Sequence, residues 1–188
     1  MLDRYLESLD ANKSFFTGED IARFDVYRER LDDALRQARL EPAFHVFKVF
    51  RQRVDERVAR ALRMLEGDFD FTIDEYYRFD RSEASWAANS AALDDIWRKR
   101  VKNEILGLRL SGKQEDEIRE TLRKRYQGTL RRTFQLTSND VFQTYINAYT
   151  LSLEPHTSYM SPQVSENFDI SMRLSLEGIG AVLRSDNE

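Results

Sequence analysis

The stretch from Pro42 to Gly67 holds Phe44, Phe47, Val54, Val58, Leu62 and Leu65 at helical spacing, with no glycine or proline between its ends. Such a stripe permits one local structure, an amphipathic helix about 37 Å long at ~1.5 Å per residue. Proline suits its first turn, where a missing N–H leaves no bond unmade, and Gly67 is expected to close it in a left-handed cap. The rest of the chain is as poor in turn formers, with 7 glycines and 3 prolines in 188 residues, too few for the repeated turns of an all-β fold. Hydrophobic residues at 41% and aromatics at 12% supply apolar surface for a core, which excludes a disordered tail and suits one domain at this length.

Further helices read off in the same way. Thr17 is placed to cap a helix reaching Arg39, with Glu19 and Asp20 in its first turn and Ile21, Phe24, Tyr27, Leu31, Leu35 and Ala38 on one face. Asn89 or Ser90 starts another, striped by Leu93, Trp97, Val101, Ile105 and Leu108 and ending near Ser111-Gly112. The next carries Ile118, Leu122, Tyr126 and Leu130, and Gly128 within it marks either an early end or a close approach. Ser138 or Asn139 is expected to cap a fifth helix with Val141, Phe142, Tyr145, Ile146 and Tyr149, and Ser161-Pro162 opens a short sixth bearing Phe168.

Two segments break this pattern. From Asp68 to Arg81, Phe69, Phe71 and Ile73 alternate before Tyr76, Tyr77 and Phe79 crowd among acids and arginines. The segment reads as an extended crossover on the helical core or as an aromatic contact loop for a partner. Beyond Ser171, Leu176, Ile179, Ala181 and Leu183 with two glycines read as a turn entering a β-strand. A lone strand leaves its backbone groups unpaired, so its sheet partners are expected outside this sequence.

One turn is written twice. YLESLDANKSFFTGED, from Tyr5, aligns without gaps with YTLSLEPHTSYMSPQV, from Tyr149; Tyr, Ser, Leu and Ser coincide, and Asp10, Phe15 and Thr17 match Glu154, Tyr159 and Ser161 in type. Further on, Phe24-Asp25 coincides with Phe168-Asp169. In each copy the carboxylate is placed to accept backbone N–H groups across the turn, the aromatic to fill the gap between helices, and the hydroxyl to cap the next helix.

Charge is dense but mixed, with 29 Lys/Arg against 33 Asp/Glu and a net charge of −4. The one local imbalance runs from Arg98 to Arg132, twelve basic residues against five acidic, or +7. Nucleic acid is disfavoured there by the acidic remainder and the lack of a reading motif; a solvated helix pair is the plain reading and an acidic protein partner the sharper one. The absence of cysteine excludes disulfides, zinc thiolates and a cysteine nucleophile. His45 and His156 stand far apart with no ligand partner at metal spacing, so structural roles are expected for both and no metal or cofactor is assigned. Ser14 and Ser158 have no nucleophile context, and Lys99 and Lys102 lie on charged helix faces, so no catalytic residue is assigned. Met1 to Asp20 holds no apolar run of signal-peptide length, and no stretch of ~20 apolar residues occurs, so no transmembrane segment is expected.

The run LEPHTSYMSPQVSENFDISMRLSLEGIGAVL, Leu153 to Leu183, resembles the entry to the PDZ domain in C-terminal processing peptidases. There a leucine-acid-Pro-His/Tyr-x-Ser-Tyr turn leads through a short helix to a Gly-Ile-Gly strand. The form SMRLSLEGIGAVL, together with the Leu9-Asp10 turn, is similar to the long tail-specific protease subgroup; Glu154 departs from it, standing where aspartate is usual.

This resemblance implies a mainly α fold: a multi-helix N-terminal domain over residues 1–174, followed at 175–188 by the truncated first strand of a PDZ domain. It implies a periplasmic serine endopeptidase, acting through a lysine-activated serine, that degrades proteins recognised by apolar C-terminal tails. Those catalytic residues belong to a domain after the PDZ, and none maps to a position here. Gly178, Ile179, Gly180 and Ala181 resemble part of the carboxylate-binding loop, in which backbone N–H groups grip a terminal carboxylate. The helical part is expected to help enclose substrate and to dock an adaptor, which by resemblance is a lipoprotein with helical repeats. The alternative is a stand-alone helical protein-protein interaction module whose terminal strand is incidental.

Overall fold

Most of the long apolar stripe is buried: Phe47, Val54, Val58 and Leu65 reach the core, while Phe44 and Leu62 are half-buried at its edge. The computed structural model describes residues 1–173, and in it α4, Glu41–Leu65, places Ala43, Val46, Phe47, Phe50, Val54, Val58, Ala61 and Leu65 in the core. Pro42 sits in its first turn. Around α4 pack α5, Ser90–Leu110, and α6, Glu115–Gln135, with α7, Ser138–Leu153, and α1, Leu2–Leu9, at its N-terminal end. Leu93, Trp97, Val101 and Ile105 of α5 and Ile118, Leu122 and Tyr126 of α6 meet that stripe, each large side chain contributing about 1.5–3 kcal/mol of burial. Arg57 also lies in the stripe, where it is buried against Asp94 and donates to Ser90 Oγ at 2.9 Å.

The expected Thr17-to-Arg39 helix is instead three pieces: α2, Gly18–Phe24, a 3₁₀ turn at Asp25–Tyr27, and α3, Leu31–Arg36. Thr17 does cap α2, in a box completed by Asp20. The break has tertiary causes that periodicity cannot carry. Arg28 bonds Asp25 at 2.8 Å and grips Asp3 of α1 with both terminal nitrogens, at 2.7 and 3.0 Å, while the Tyr27 hydroxyl meets His45 Nδ1 at 2.9 Å. Leu31 is still buried, but Ala38, expected on the apolar face, is exposed and takes φ 55 to end α3.

Smaller corrections concern caps. Gly67 does not adopt the left-handed conformation; Gly112 does, with φ 85, where Lys113 N–H returns to the Leu108 carbonyl at 3.2 Å. Gly128 does not end α6, which continues to Gln135; it lies where a Cβ would come within 3.3 Å of the Arg132 guanidinium. Asn89 caps α5 through Ala92 N–H, but α7 is capped by Thr137, one residue before the expected pair, with Asp140 closing the box. The crossover 66–89 forms no strand; Asp70 and Asp80 hold tight turns by accepting from Thr72 and Ser82. It is tied to the first turn by Asn12, which donates to Phe79 O and accepts from Arg81 N, and by Gly18 N–H to Ala87 O at 2.7 Å. Among the described residues the regular secondary structure is all helical, with one isolated bridge, Thr17 to Ala87. The expected terminal strand lies outside them.

Candidate functional site

The repeated turn is built from the same parts in both copies. After α1, the Asp10 carboxylate accepts the backbone N–H groups of Ser14, Phe15 and Phe16 at 2.8, 2.8 and 2.9 Å. After α7, the Glu154 carboxylate accepts His156 N–H at 3.0 Å and the Thr157 hydroxyl at 2.7 Å. Ser8 and Ser152 each return a hydroxyl to the carbonyl one turn back. Phe15 stands edge-on to Phe50 at 5.7 Å, and Tyr159 edge-on to Phe142 at 5.6 Å.

The copies differ in bonding, three backbone N–H groups on Asp10 against one N–H and one hydroxyl on Glu154, and they differ in burial. Asp10 is 3% exposed, and burial pushes its carboxyl above the usual aspartate range despite three N–H bonds and the nearby Arg81. Glu154 is exposed, and its turn is fixed from α7 by Asn147, which donates to Tyr159 O at 3.2 Å and accepts Tyr159 N–H at 2.6 Å. The first copy is thus interior scaffold and the second a surface exit.

From that exit α8, Pro162–Arg173, carries Val164, Phe168 and Met172 one turn apart, all exposed, with Leu153 at 70% beside the turn. This apolar face has no partner among the described residues. The four residues expected to form a carboxylate loop, Gly178, Ile179, Gly180 and Ala181, lie outside the described residues.

The basic stretch is answered from within. Glu75 of the crossover takes Arg98 and Lys102 of α5, and Lys102 also donates to Ile73 O at 3.1 Å; hydrogen bonds from Arg98 and then Lys102 hold the Glu75 carboxyl down to about 2. Glu104 serves Arg100, Arg125 and the Tyr126 hydroxyl, and Glu66 takes Arg123. Arg109 pairs with Glu115, Lys113 with Glu117, and Lys124 with Glu120. Among the described residues only Arg131 and Arg132 of that stretch lack a carboxylate partner. Four of these cations, Arg98, Lys102, Arg119 and Arg123, hold the crossover through Glu75, Asp68 and Glu66, and most of the rest pair within or between α5 and α6, as in the solvated helix-pair reading. Meanwhile Ile73, Tyr76 and Phe79 remain exposed, so the crossover both lies on the core and shows aromatic edges.

The remaining candidates take structural places. His45 stands edge-on to Phe24 and Tyr27, at 6.0 and 5.9 Å. Ser14 donates to Asn12 O, and Lys99 pairs with Asp95. No group of histidine and carboxylates gathers at metal spacing among the described residues, and none of their helices is long and apolar enough to cross a membrane. The geometry displays surfaces for contact; sequence reasoning singled out Phe168 but had no signal that Val164 and Met172 would stay uncovered.

Comparison with known proteins agrees with this description. A family model, the tail specific protease N-terminal domain, matches residues 1–163. The chain is 37% identical over 189 residues to a tail-specific protease of Haemophilus influenzae, an alignment that takes in 100% of this chain and 27% of that protein. The likeness thus extends beyond the exit motif through the crossover and the basic helices, and the chain belongs to the tail-specific protease N-terminal domain family.

Proposed function

We propose that the chain is the non-catalytic N-terminal region of a periplasmic tail-specific serine endopeptidase that degrades proteins recognised by their apolar C-termini. The observation that carries this reading is the 37% identity to a tail-specific protease along the whole chain. In it residues 1–174 are the helical domain and residues 175–188 begin a PDZ domain. Gly178, Ile179, Gly180 and Ala181 supply part of a loop whose backbone N–H groups hold the substrate's terminal carboxylate, glycine being needed where a side chain would block the approach. The serine and its lysine belong to a later domain. The helices form part of the wall around the substrate and a surface for an adaptor, such as a lipoprotein with helical repeats. The exposed Val164, Phe168 and Met172 support a contact at the exit from the domain.

The test uses the natural full-length gene product and two reporter proteins differing only in their C-terminal tails, apolar in one and acidic in the other. The expected result is degradation of the apolar-tailed reporter alone, and no proteolysis by the 188-residue chain. Equal degradation of both reporters, or of neither, refutes the reading.

A further inference from the structure

Where α6 hands over to α7 across α4, a groove of about 540 Å³ opens, within the ~300–1,000 Å³ typical of binding pockets. Its floor is apolar, formed by Phe44, Phe47, Phe134, Leu136 and Val141, of which Phe134 stays 47% and Leu136 40% exposed. Its rim is cationic. Lys48 and Arg51 stand one turn apart on α4 and form no ion pair among the described residues; Arg51 lies over the Phe134 ring, 4.2 Å from its centroid, although Asp55 follows one turn on. This contrasts with α5 and α6, whose cations are almost all neutralised by carboxylates of the same molecule.

We infer that this groove is the docking site for an acidic, apolar segment of a partner protein, in which a few apolar side chains fill the floor and an adjacent carboxylate reaches Lys48 and Arg51. Charge complementarity selects the occupant. An apolar segment alone would leave the rim cations beside a newly dried surface, and a basic one would face two like charges, whereas a carboxylate satisfies both in a partly desolvated setting. The volume suits a short segment inserted into a cleft and not a broad flat contact. The α8 face offers apolar area without such a charged rim. The inference names a site for the adaptor docking proposed above and rests on that reading.

The test uses the full-length protein and a fluorescein-labelled peptide with leucines at helical spacing beside paired glutamates. Control peptides carry glutamine or lysine in place of the glutamates. Anisotropy titration is expected to show saturable binding of the acidic peptide, weaker by roughly fivefold or more for the glutamine version. Lys48→Glu with Arg51→Glu is expected to reverse the preference towards the lysine peptide. A fold merely damaged by the substitutions would lose binding without gaining the new preference. The inference is overturned if acidic and neutral peptides bind alike or if the charge reversal changes nothing. It is also overturned if sedimentation shows a dimer that Arg51→Glu dissolves, which makes a second copy the occupant. Binding by the 188-residue chain but not the full-length protein overturns it too, because the groove is then filled by the protein's own polypeptide. Reporter degradation by the same preparation separates the two readings: selective peptide binding without tail-dependent cleavage refutes the protease reading, and cleavage without selective binding refutes the groove.

Discussion

Asp20 shows how much one side chain can hold. Its carboxylate closes the α2 capping box through Thr17 and receives Arg53 of α4 at 2.8 and 2.9 Å, while being 1% exposed. Burial alone would raise its pKa, but Arg53 and Thr17 outweigh burial and hold it below the usual aspartate range. Asp20→Asn breaks a buried pair and a cap together, so a loss of about 3 kcal/mol is expected in urea unfolding near neutral pH. The pH dependence follows from the sign of the shift. Stability from Asp20 is fully present above the unfolded aspartate pKa and is lost as pH falls through the depressed folded value, so the Asn variant should lose less on acidification than the wild type. Asp10, raised by burial, works the other way: its contribution is full below the unfolded value and lost as pH rises through the folded one. A second residue-scale prediction concerns Ala38, exposed with φ 55. A left-handed L-residue costs about 1 kcal/mol, so Ala38→Gly should raise stability by roughly 0.5–1 kcal/mol in the same assay.

At the scale of elements, the crossover from α4 to α5 depends on a clasp, since it has no strand pairing of its own. Glu75 bonded to Arg98 and Lys102 fixes its middle, and Asn12 fixes its end. Glu75→Gln leaves the helical core untouched but removes both ion pairs. Cleavage by chymotrypsin at the exposed Tyr76 and Phe79 should therefore speed up severalfold, with little change in the thermal midpoint. An unchanged cleavage rate would show that packing of Phe69 and Phe71 holds the segment without the clasp. The elements also show what the sequence could reveal. The burial of α4 and α5 was legible because Val54, Val58, Leu93, Trp97 and Val101 repeat at helical spacing between recognisable ends. The break between α2 and α3 was not, because Arg28 and Tyr27 find Asp3 and His45, partners distant in sequence, while the apolar spacing runs on unbroken. The same holds for the contact surfaces. Phe44, Phe47 and Val141 read correctly as stripe residues, but only the packing of α6 and α7 against α4 leaves Phe134 and Leu136 open beside Lys48 and Arg51.

At the scale of the whole molecule, two tyrosines join the first helix to the seventh. Tyr5 of α1 and Tyr145 of α7 are fully buried and meet edge to face, with centroids 5.3 Å apart and planes at 73°. Their hydroxyls diverge, Tyr5 donating to the Ala43 carbonyl at the start of α4 and Tyr145 to the Leu31 carbonyl at the start of α3, each at 3.0 Å. One pair thereby joins the first and seventh helices and anchors them on both sides of the 31–43 segment. Burial pushes the Tyr145 hydroxyl up to about 12, helped by Asp32, so both hydroxyls act as donors across any practical pH range. The geometry separates ring from hydroxyl. Tyr5→Phe and Tyr145→Phe each lose one hydrogen bond to a different carbonyl, so each should cost about 1 kcal/mol and the two should add. Tyr5→Leu and Tyr145→Leu also remove the edge-to-face contact, which either single change already abolishes. The double leucine variant should therefore be less destabilised than the sum of the singles by roughly 0.5–1.5 kcal/mol. Urea unfolding of the six variants measures both cycles. Additive leucine changes would mean that the rings contribute only their separate burial, leaving the two hydroxyl bonds as the specific part of what the tyrosines add between α1 and α7.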